Sequence, residues 1–290
     1  MSRGRPAVVL TVAGTDSGGA AGIAADLTTF ADLGTHGAAV VTAVTAQDTT
    51  GVRAVHVVSA ATVLAQLEAV VEDLPVAAVK TGMLGTAEVV GLVAERLSAL
   101  GVPLVVDPVL VATSGAVLGD GQVVHAYLEH LLPVATVITP NADEARALLG
   151  ASDSPDRMAG ALTRLGPAVV LTGGGPAGTC TDWVAVPGTE PVALTHPSVE
   201  TTNDHGTGCT FSAALAAQLA HDVPLIAAVR RAAAYTAGQL RLSQSWSLGR
   251  GRGPIAHTRG EPTGPSTKPT PASSSKDPDP MSECRSPGSP

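Results

Sequence analysis

A glycine turn that opens a helix can hold an anion, because the first N–H groups of the helix have no partner within it and the peptide dipoles add to their pull. The stretch Asn203-Asp204-His205-Gly206-Thr207-Gly208-Cys209-Thr210 has that form and runs into an alanine- and leucine-rich segment reaching Leu219. Gly206, Thr207 and Gly208 let backbone approach a phosphate. Cys209 stands where loop becomes helix, so its thiol is expected to ionise more easily than a free cysteine and to be a candidate base. A small cysteine there also packs well, and both readings stay open.

Other residues fit chemistry on the same scale. Gln47 closes a β-rich run beside the turn Asp48-Thr49-Thr50-Gly51. Its amide can both donate to and accept from a heterocycle, though a solvated turn glutamine reads equally well. Asp107 follows Leu104-Val105-Val106 at a strand end, where it could hold Mg2+ or cap a loop. Asn141 and Glu144 are three apart at a helix opening, which suits a shared ligand and equally a capping box. Thr172-Gly173-Gly174-Gly175 is a second glycine loop of phosphate size.

These residues need strands and helices to bring them together. Short β-branched or apolar runs at 8–12, 38–46, 52–58, 76–79, 104–106, 136–138 and 168–171 read as strands. Helical spacing follows at Ile23–Ala31, Val63–Val71, Val89–Leu100 and Ala145–Leu149, with a further helix from Ser154-Pro155 to Leu165 and another over 227–242. Residues 182–186 and 192–194 read as an antiparallel pair around Pro187-Gly188. Repeated alternation of strand and helix predicts an α/β fold, a mostly parallel sheet covered by helices on both faces. The loops at Gly14, Lys80, Asp107, Asn141, Thr172 and Gly206 would then gather on one rim. No P-loop is present, the glycines of the loop after the first strand are not spaced Gly-x-Gly-x-x-Gly, and no acidic residue closes a second strand at the expected distance, so a dinucleotide fold fits poorly.

Composition narrows the function further. The 290 residues are 44% hydrophobic but only 2% aromatic, so alanine, valine and leucine must fill the core. Few aromatic faces and a net charge of -8 argue against a nucleic-acid partner. The apolar run 7–13 is cut by Gly14-Thr15-Asp16, too short for a membrane span, and reads as a first buried strand. Three scattered cysteines, Cys180, Cys209 and Cys284, suggest neither a disulfide framework nor a zinc cluster, and a reducing cytoplasmic setting is expected. Residues 258–290 carry eight of the twenty-two prolines and almost nothing apolar, which predicts a disordered tail after a domain spanning 1–257.

Taken in order, Ala13-Gly14-Thr15-Asp16-Ser17-Gly18-Gly19, Ala25-Asp26-Leu27, Ala46-Gln47, Lys80-Thr81-Gly82-Met83-Leu84, Asp107-Pro108-Val109, Thr139-Pro140-Asn141-x-x-Glu144 and His205 to Thr210 closely resemble the hydroxymethylpyrimidine/phosphomethylpyrimidine kinases of thiamine biosynthesis. The resemblance covers residues 7–257 and implies a ribokinase-like three-layer α/β/α sandwich. It also implies two phosphoryl transfers from ATP, onto 4-amino-5-hydroxymethyl-2-methylpyrimidine and then onto its monophosphate. By that likeness Gln47 would hydrogen-bond the pyrimidine, and Gly14, Asp26, Met83 and Val109 would line its pocket. Asn141 and Glu144 would orient Mg2+ and the ATP phosphates, directly or through water, with Asp107 nearby. Thr172 and Gly174 would flank the nucleotide, Gly206, Thr207 and Gly208 would form the anion hole, and Cys209 would be the base. A homo-oligomer is implied only by the same likeness.

Three positions depart from the pattern: Ala20 replaces a usual glycine, Ala24 a common glutamine, and Asp48 follows Gln47 where asparagine is frequent. They bear on substrate preference more than on fold. A vitamin B6 kinase is the nearest alternative, since a pyridine alcohol needs a similar pocket. A silent ligand-binding protein on the same fold is the alternative of another class, and the intact Asn141, Glu144 and Cys209 set speaks against it.

Overall fold

In the computed structural model of the protein, residues 5–110 and 120–258 are described. Most of the proposed tail, with Cys284, lies outside the described residues. In chain order the strands are β1 Val8–Gly14, β2 His36–Asp48, β3 Gly51–Val57, β4 Val76–Thr81, β5 Leu104–Val106, β6 Val137–Ile138, β7 Ala168–Leu171, β8 Thr179–Ala185 and β9 Val192–Pro197. The helices are α1 Gly22–Asp32, α2 Ala60–Asp73, α3 Ala87–Ser98, α4 Gly121–Ala126, α5 Ala142–Leu149, α6 Pro155–Leu162, α7 Thr207–Ala220 and α8 Leu225–Ser243.

Among the described residues the strands form a single nine-stranded sheet in the order β3-β2-β1-β4-β5-β6-β7-β8-β9. Pairings from β2 through β7 are parallel, while β3 and the β8–β9 hairpin run antiparallel at the two ends. The sequence-based expectation of a three-layer, mostly parallel α/β sandwich is met.

Two apolar layers follow from the two-residue period of a strand. Leu10, Val79, Val106, Ile138 and Val169 point to one face, against α2, α3, α5 and α6. Val9, Ala78, Val105, Val137 and Val170 point to the other, against α1, α7 and α8. Burial of one large aliphatic side chain contributes about 1.5–3 kcal/mol, so a slip of one residue in any strand would exchange the two layers at great cost. On the second face, α7 lies between the sheet and its neighbours α1 and α8, and Thr210 to Ala217 are all buried. The small side chains of Ser212, Ala213, Ala214, Ala216 and Ala217 allow the close approach.

Local signals set several boundaries. Ser59 and Thr86 cap α2 and α3 by accepting the N–H groups of Thr62 and Val89. Asn141 and Glu144 form a complete capping box at α5. One region went unassigned in the sequence: α4, capped by Asp120, passes into a π-helical turn at Tyr127–Leu131 and a 3-10 turn at Leu132–Val134. Its six regular residues are too few for a helical period to stand out. Tyr127 is fully buried there and donates to the Gly82 carbonyl at 3.2 Å. At the other end, Asn203 Nδ2 donates to the carbonyls of Ser243 and Trp246, fastening the end of α8 beside the glycine turn that precedes α7. Among the described residues no helix is long and apolar enough to cross a membrane.

Candidate active site

The second face of the sheet does not stop at its core. One step of two residues beyond Ala78, Val105, Val137 and Val170 lie Lys80, Asp107, Thr139 and Thr172, and all four line one cavity of about 490 Å3. The pleat that buries valines in mid-strand therefore presents polar groups at the strand ends. Opposite them stand the start of α7, with Gly206, Thr207, Gly208 and Cys209, and the start of α1 at Gly22. Gly206 has φ +92° and a Cβ there would overlap the Ala20 carbonyl, so only glycine lets the two loops meet. Ala20 itself is buried without a positive φ, so its methyl leaves that approach intact.

Gln47 reaches the cavity from the flap made by the far half of β2 and by β3. The register slips between Ala46, opposite Ala54, and Gln47, opposite Val52, and such a bulge re-aims the side chain. Ser17 locks the Gln47 backbone, its hydroxyl donating to the carbonyl at 2.7 Å and accepting the N–H at 2.8 Å. The Gln47 amide nitrogen lies 3.0 Å from His205 Nε2, which lies 3.1 Å from Asp16 Oδ2. Burial works against the Asp16 charge, but His205 and the N–H groups of Gly18 and Ala21 hold its carboxyl below the usual range. The Asp16-His205-Gln47 chain was not read from the sequence, where Asp16 and His205 appeared only as parts of motifs.

Gly14, Met83 and Val109 line the cavity together with Gln47. Asp26 does not. It is fully buried behind the wall, where it accepts from the Thr11 hydroxyl at 2.6 Å and from Lys80 Nζ at 2.9 and 3.0 Å. Its place as a pocket residue is therefore corrected: it holds Lys80, and Lys80 reaches the site. Burial alone would discharge Lys80, but Asp26 first, then Cys209 and Asp107, keep it charged with its pKa raised above the ordinary lysine value.

Cys209 also departs from expectation. Although its thiol faces the N–H of Gly22 and lies at the start of α7, burial dominates and pushes it up to about 12. Lys80 pulls the other way, and the carboxyls of Asp107 and Asp26 add to the rise. The helix end favours the thiolate by about 0.3–2 kcal/mol, and the partial removal of the sulfur from water opposes it.

Asp107 accepts from Ser212 Oγ at 3.0 Å, and burial raises its pKa against the pull of Lys80. Burial, then Asp107, push Glu144 up to about 8, against the N–H groups of Asn141 and Leu110. Two buried acids on one cavity with a single ammonium nearby form a set of hard oxygens lacking positive charge, which suits Mg2+. Asn141 Oδ1 is used by the N–H groups of Asp143 and Glu144, so its remaining polar group is an amide NH2, a donor suited to phosphate oxygen. Thr172 lines the cavity, as does Gly173 rather than the expected Gly174, whose carbonyl accepts from Thr181 N–H instead. The sequence also gave no sign that Cys180, Asp182 and His196 would share the cavity wall.

The family profile described as phosphomethylpyrimidine kinase matches residues 16–256. A hydroxymethylpyrimidine/phosphomethylpyrimidine kinase of Rhizobium meliloti is 48% identical over 257 residues, covering 87% of this chain and 97% of the relative. Among solved structures, a Bacillus subtilis pyridoxal kinase bound to ADP superposes with a TM-score of 0.80 at 33% identity, covering 87% of this chain and 97% of its own. A Clostridium difficile phosphomethylpyrimidine kinase gives 0.69 at 35% identity, covering 79% and 97%.

Proposed function

The chain belongs to the phosphomethylpyrimidine kinase family, phosphotransferases of thiamine biosynthesis, and we propose that the strand-end cavity is where its alcohol substrate and the terminal phosphate of ATP meet. It catalyses ATP-dependent phosphorylation of 4-amino-5-hydroxymethyl-2-methylpyrimidine and of the resulting monophosphate. The observation that carries the assignment of the site is the convergence of Lys80, Asp107, Glu144 and Cys209 on a single cavity whose rim also bears Gln47.

In this reading Gln47, fixed by Ser17 and by the Asp16-His205 pair, hydrogen-bonds the ring, with Gly14, Met83 and Val109 around it. The turn Gly206-Thr207-Gly208 cradles the phosphoryl group in flight through the Gly206 and Gly208 N–H groups, the Thr207 N–H being held by the Asp204 carbonyl, and Lys80 offsets its charge. Asn141 donates to a nucleotide phosphate, and Thr172 with the loop through Gly173 and Gly174 flanks the nucleotide. Asp107 and Glu144 would hold Mg2+, directly or through water, and the ion would supply neutralising charge for the phosphates. Cys209 is the proton acceptor. Burial and the carboxyls of Asp107 and Asp26 favour its thiol, Lys80 and the Gly22 N–H favour its thiolate, and the thiol proton passes to solvent through the cavity before the sulfur accepts the proton of the alcohol. The kinase domain in the same reading is residues 1–257, with 258–290 outside it.

The test is a substrate panel with ATP: hydroxymethylpyrimidine, its monophosphate and pyridoxal, with products identified by mass. Turnover on the first two is expected to exceed that on pyridoxal. The pyridoxal kinases that share the fold make the reverse order the informative failure, and it would overturn the pyrimidine assignment.

A further inference from the structure

The β8–β9 hairpin carries three side chains that phosphoryl transfer does not use. Cys180 and Asp182 are two apart on β8 and so share a face, and His196 on β9 is the register partner of Cys180. That face is the one that continues from Val184 and Leu194 into the cavity, beside the Gly173 loop. The sulfur, a carboxylate oxygen and a ring nitrogen lie within 4.8 Å of one another.

The hydrogen bonds around this cluster aim an imidazole nitrogen at a carboxylate oxygen. His196 Nδ1 lies 3.2 Å from the Pro197 carbonyl, a contact that needs the proton on Nδ1. Nε2 of the same ring faces Asp182 Oδ2 at 3.2 Å. Asp182 Oδ1 is occupied by the Gly173 N–H at 2.9 Å, so Oδ2 is the oxygen left to face the ring. A positive centre belongs between those two atoms, and a second ring proton or a metal ion would each supply it.

We propose that Cys180, Asp182 and His196 bind a borderline-soft divalent cation of the zinc class, with the fourth coordination position open to the cavity. Two ligands at about 2.0–2.1 Å in a tetrahedral set stand about 3.3 Å apart, close to the observed Nε2 to Oδ2 distance. The Cys180 sulfur completes the set by rotation about its χ1 bond, and its proton leaves to solvent as the sulfur–metal bond forms. The Pro197 carbonyl and the Gly173 N–H are the outer partners that orient imidazole and carboxylate. A thiolate ligand selects against Mg2+, so the site is chemically distinct from Asp107 and Glu144. Through Asp182 the bound cation would stiffen the Gly173 loop.

The full chain, stripped with a chelator and titrated with Co2+, is expected to bind one equivalent with a thiolate-to-cobalt charge-transfer band in the near ultraviolet that Zn2+ abolishes. Cys180→Ser should remove the band, and His196→Asn should weaken binding by at least the roughly 10–100-fold that loss of an outer partner costs. Cys209→Ser should keep it. Absence of the band, its survival in Cys180→Ser or its loss in Cys209→Ser would each overturn the assignment. The optical readout is independent of turnover, so it separates this site from the kinase reading.

Discussion

The buried pair of Asp26 and Lys80 yields a sharp expectation for stability. Both side chains are wholly inaccessible and the nearer contact is 2.9 Å. At an effective dielectric of about 20 that separation corresponds to about 6 kcal/mol of gross attraction. Desolvation of two ions consumes most of it, so the net value of the pair is small, while removal of one partner strands the other charge. Asp26→Asn and Lys80→Met should therefore each lower the unfolding free energy by about 3–5 kcal/mol. The double variant is electrically neutral, and the new amide keeps an oxygen to accept from the Thr11 hydroxyl, so its cost should fall well below the sum of the singles. Urea unfolding at constant pH, read as a double-mutant cycle, gives the coupling. Single costs under about 1 kcal/mol, or a double cost equal to the sum, would refute the account. A steady-state arm adds a second check: because Asp26 lies behind the wall, Asp26→Asn should depress kcat and leave KM for the pyrimidine unchanged.

Three further expectations follow from the geometry. Burial, with the nearby His205, lowers the His257 pKa to about 4, so the folded protein disfavours its protonation. Its contribution of about 3 kcal/mol is fully present above the unfolded pKa of about 6.5 and is lost as pH falls through about 4; urea midpoints across that window should fall less in His257→Asn than in wild type. Gly206→Ala should lose activity and at least about 2 kcal/mol, as the Ala20 carbonyl must move, whereas Gly174→Ala, with nothing within 4 Å of its Cβ, should cost only about 1–2 kcal/mol by thermal melts. Iodoacetamide should alkylate Cys209 slowly at neutral pH in the ligand-free protein, since its thiol is raised to about 12, and faster when Mg2+ and a non-hydrolysable ATP analogue are bound without the alcohol; an unchanged rate in a Cys180→Ser, Cys284→Ser background would exclude cation-assisted ionisation.

The strand ends and the capping box were legible because their signals are local: a β-branched run, a polar residue where it stops, an Asn and a Glu three apart. Parity in the sheet could likewise be counted from the sequence, and it brings Lys80, Asp107 and Thr172 to one side. What sequence could not supply were facts of distance. Asp26 and Lys80 are 54 positions apart, and only the docking of α1 on the sheet shows that they neutralise each other. Cys180 and His196 meet only once the hairpin register is fixed, and a slip of one residue would put them on opposite faces. The helix start at Cys209 was legible, but the burial and the carboxyls of Asp107 and Asp26 that oppose its ionisation come from several other elements.

The chain contains two tryptophans, and the fold places Trp183 on the face of the sheet away from the cavity and Trp246 just beyond the end of α8. Trp183 adjoins Asp182 on β8, while the Trp246 carbonyl is held by Asn203 near the anion turn. Replacing either indole with phenylalanine leaves a single native fluorophore, so unfolding around the β8–β9 hairpin and around the end of α8 can be followed separately without attaching a dye.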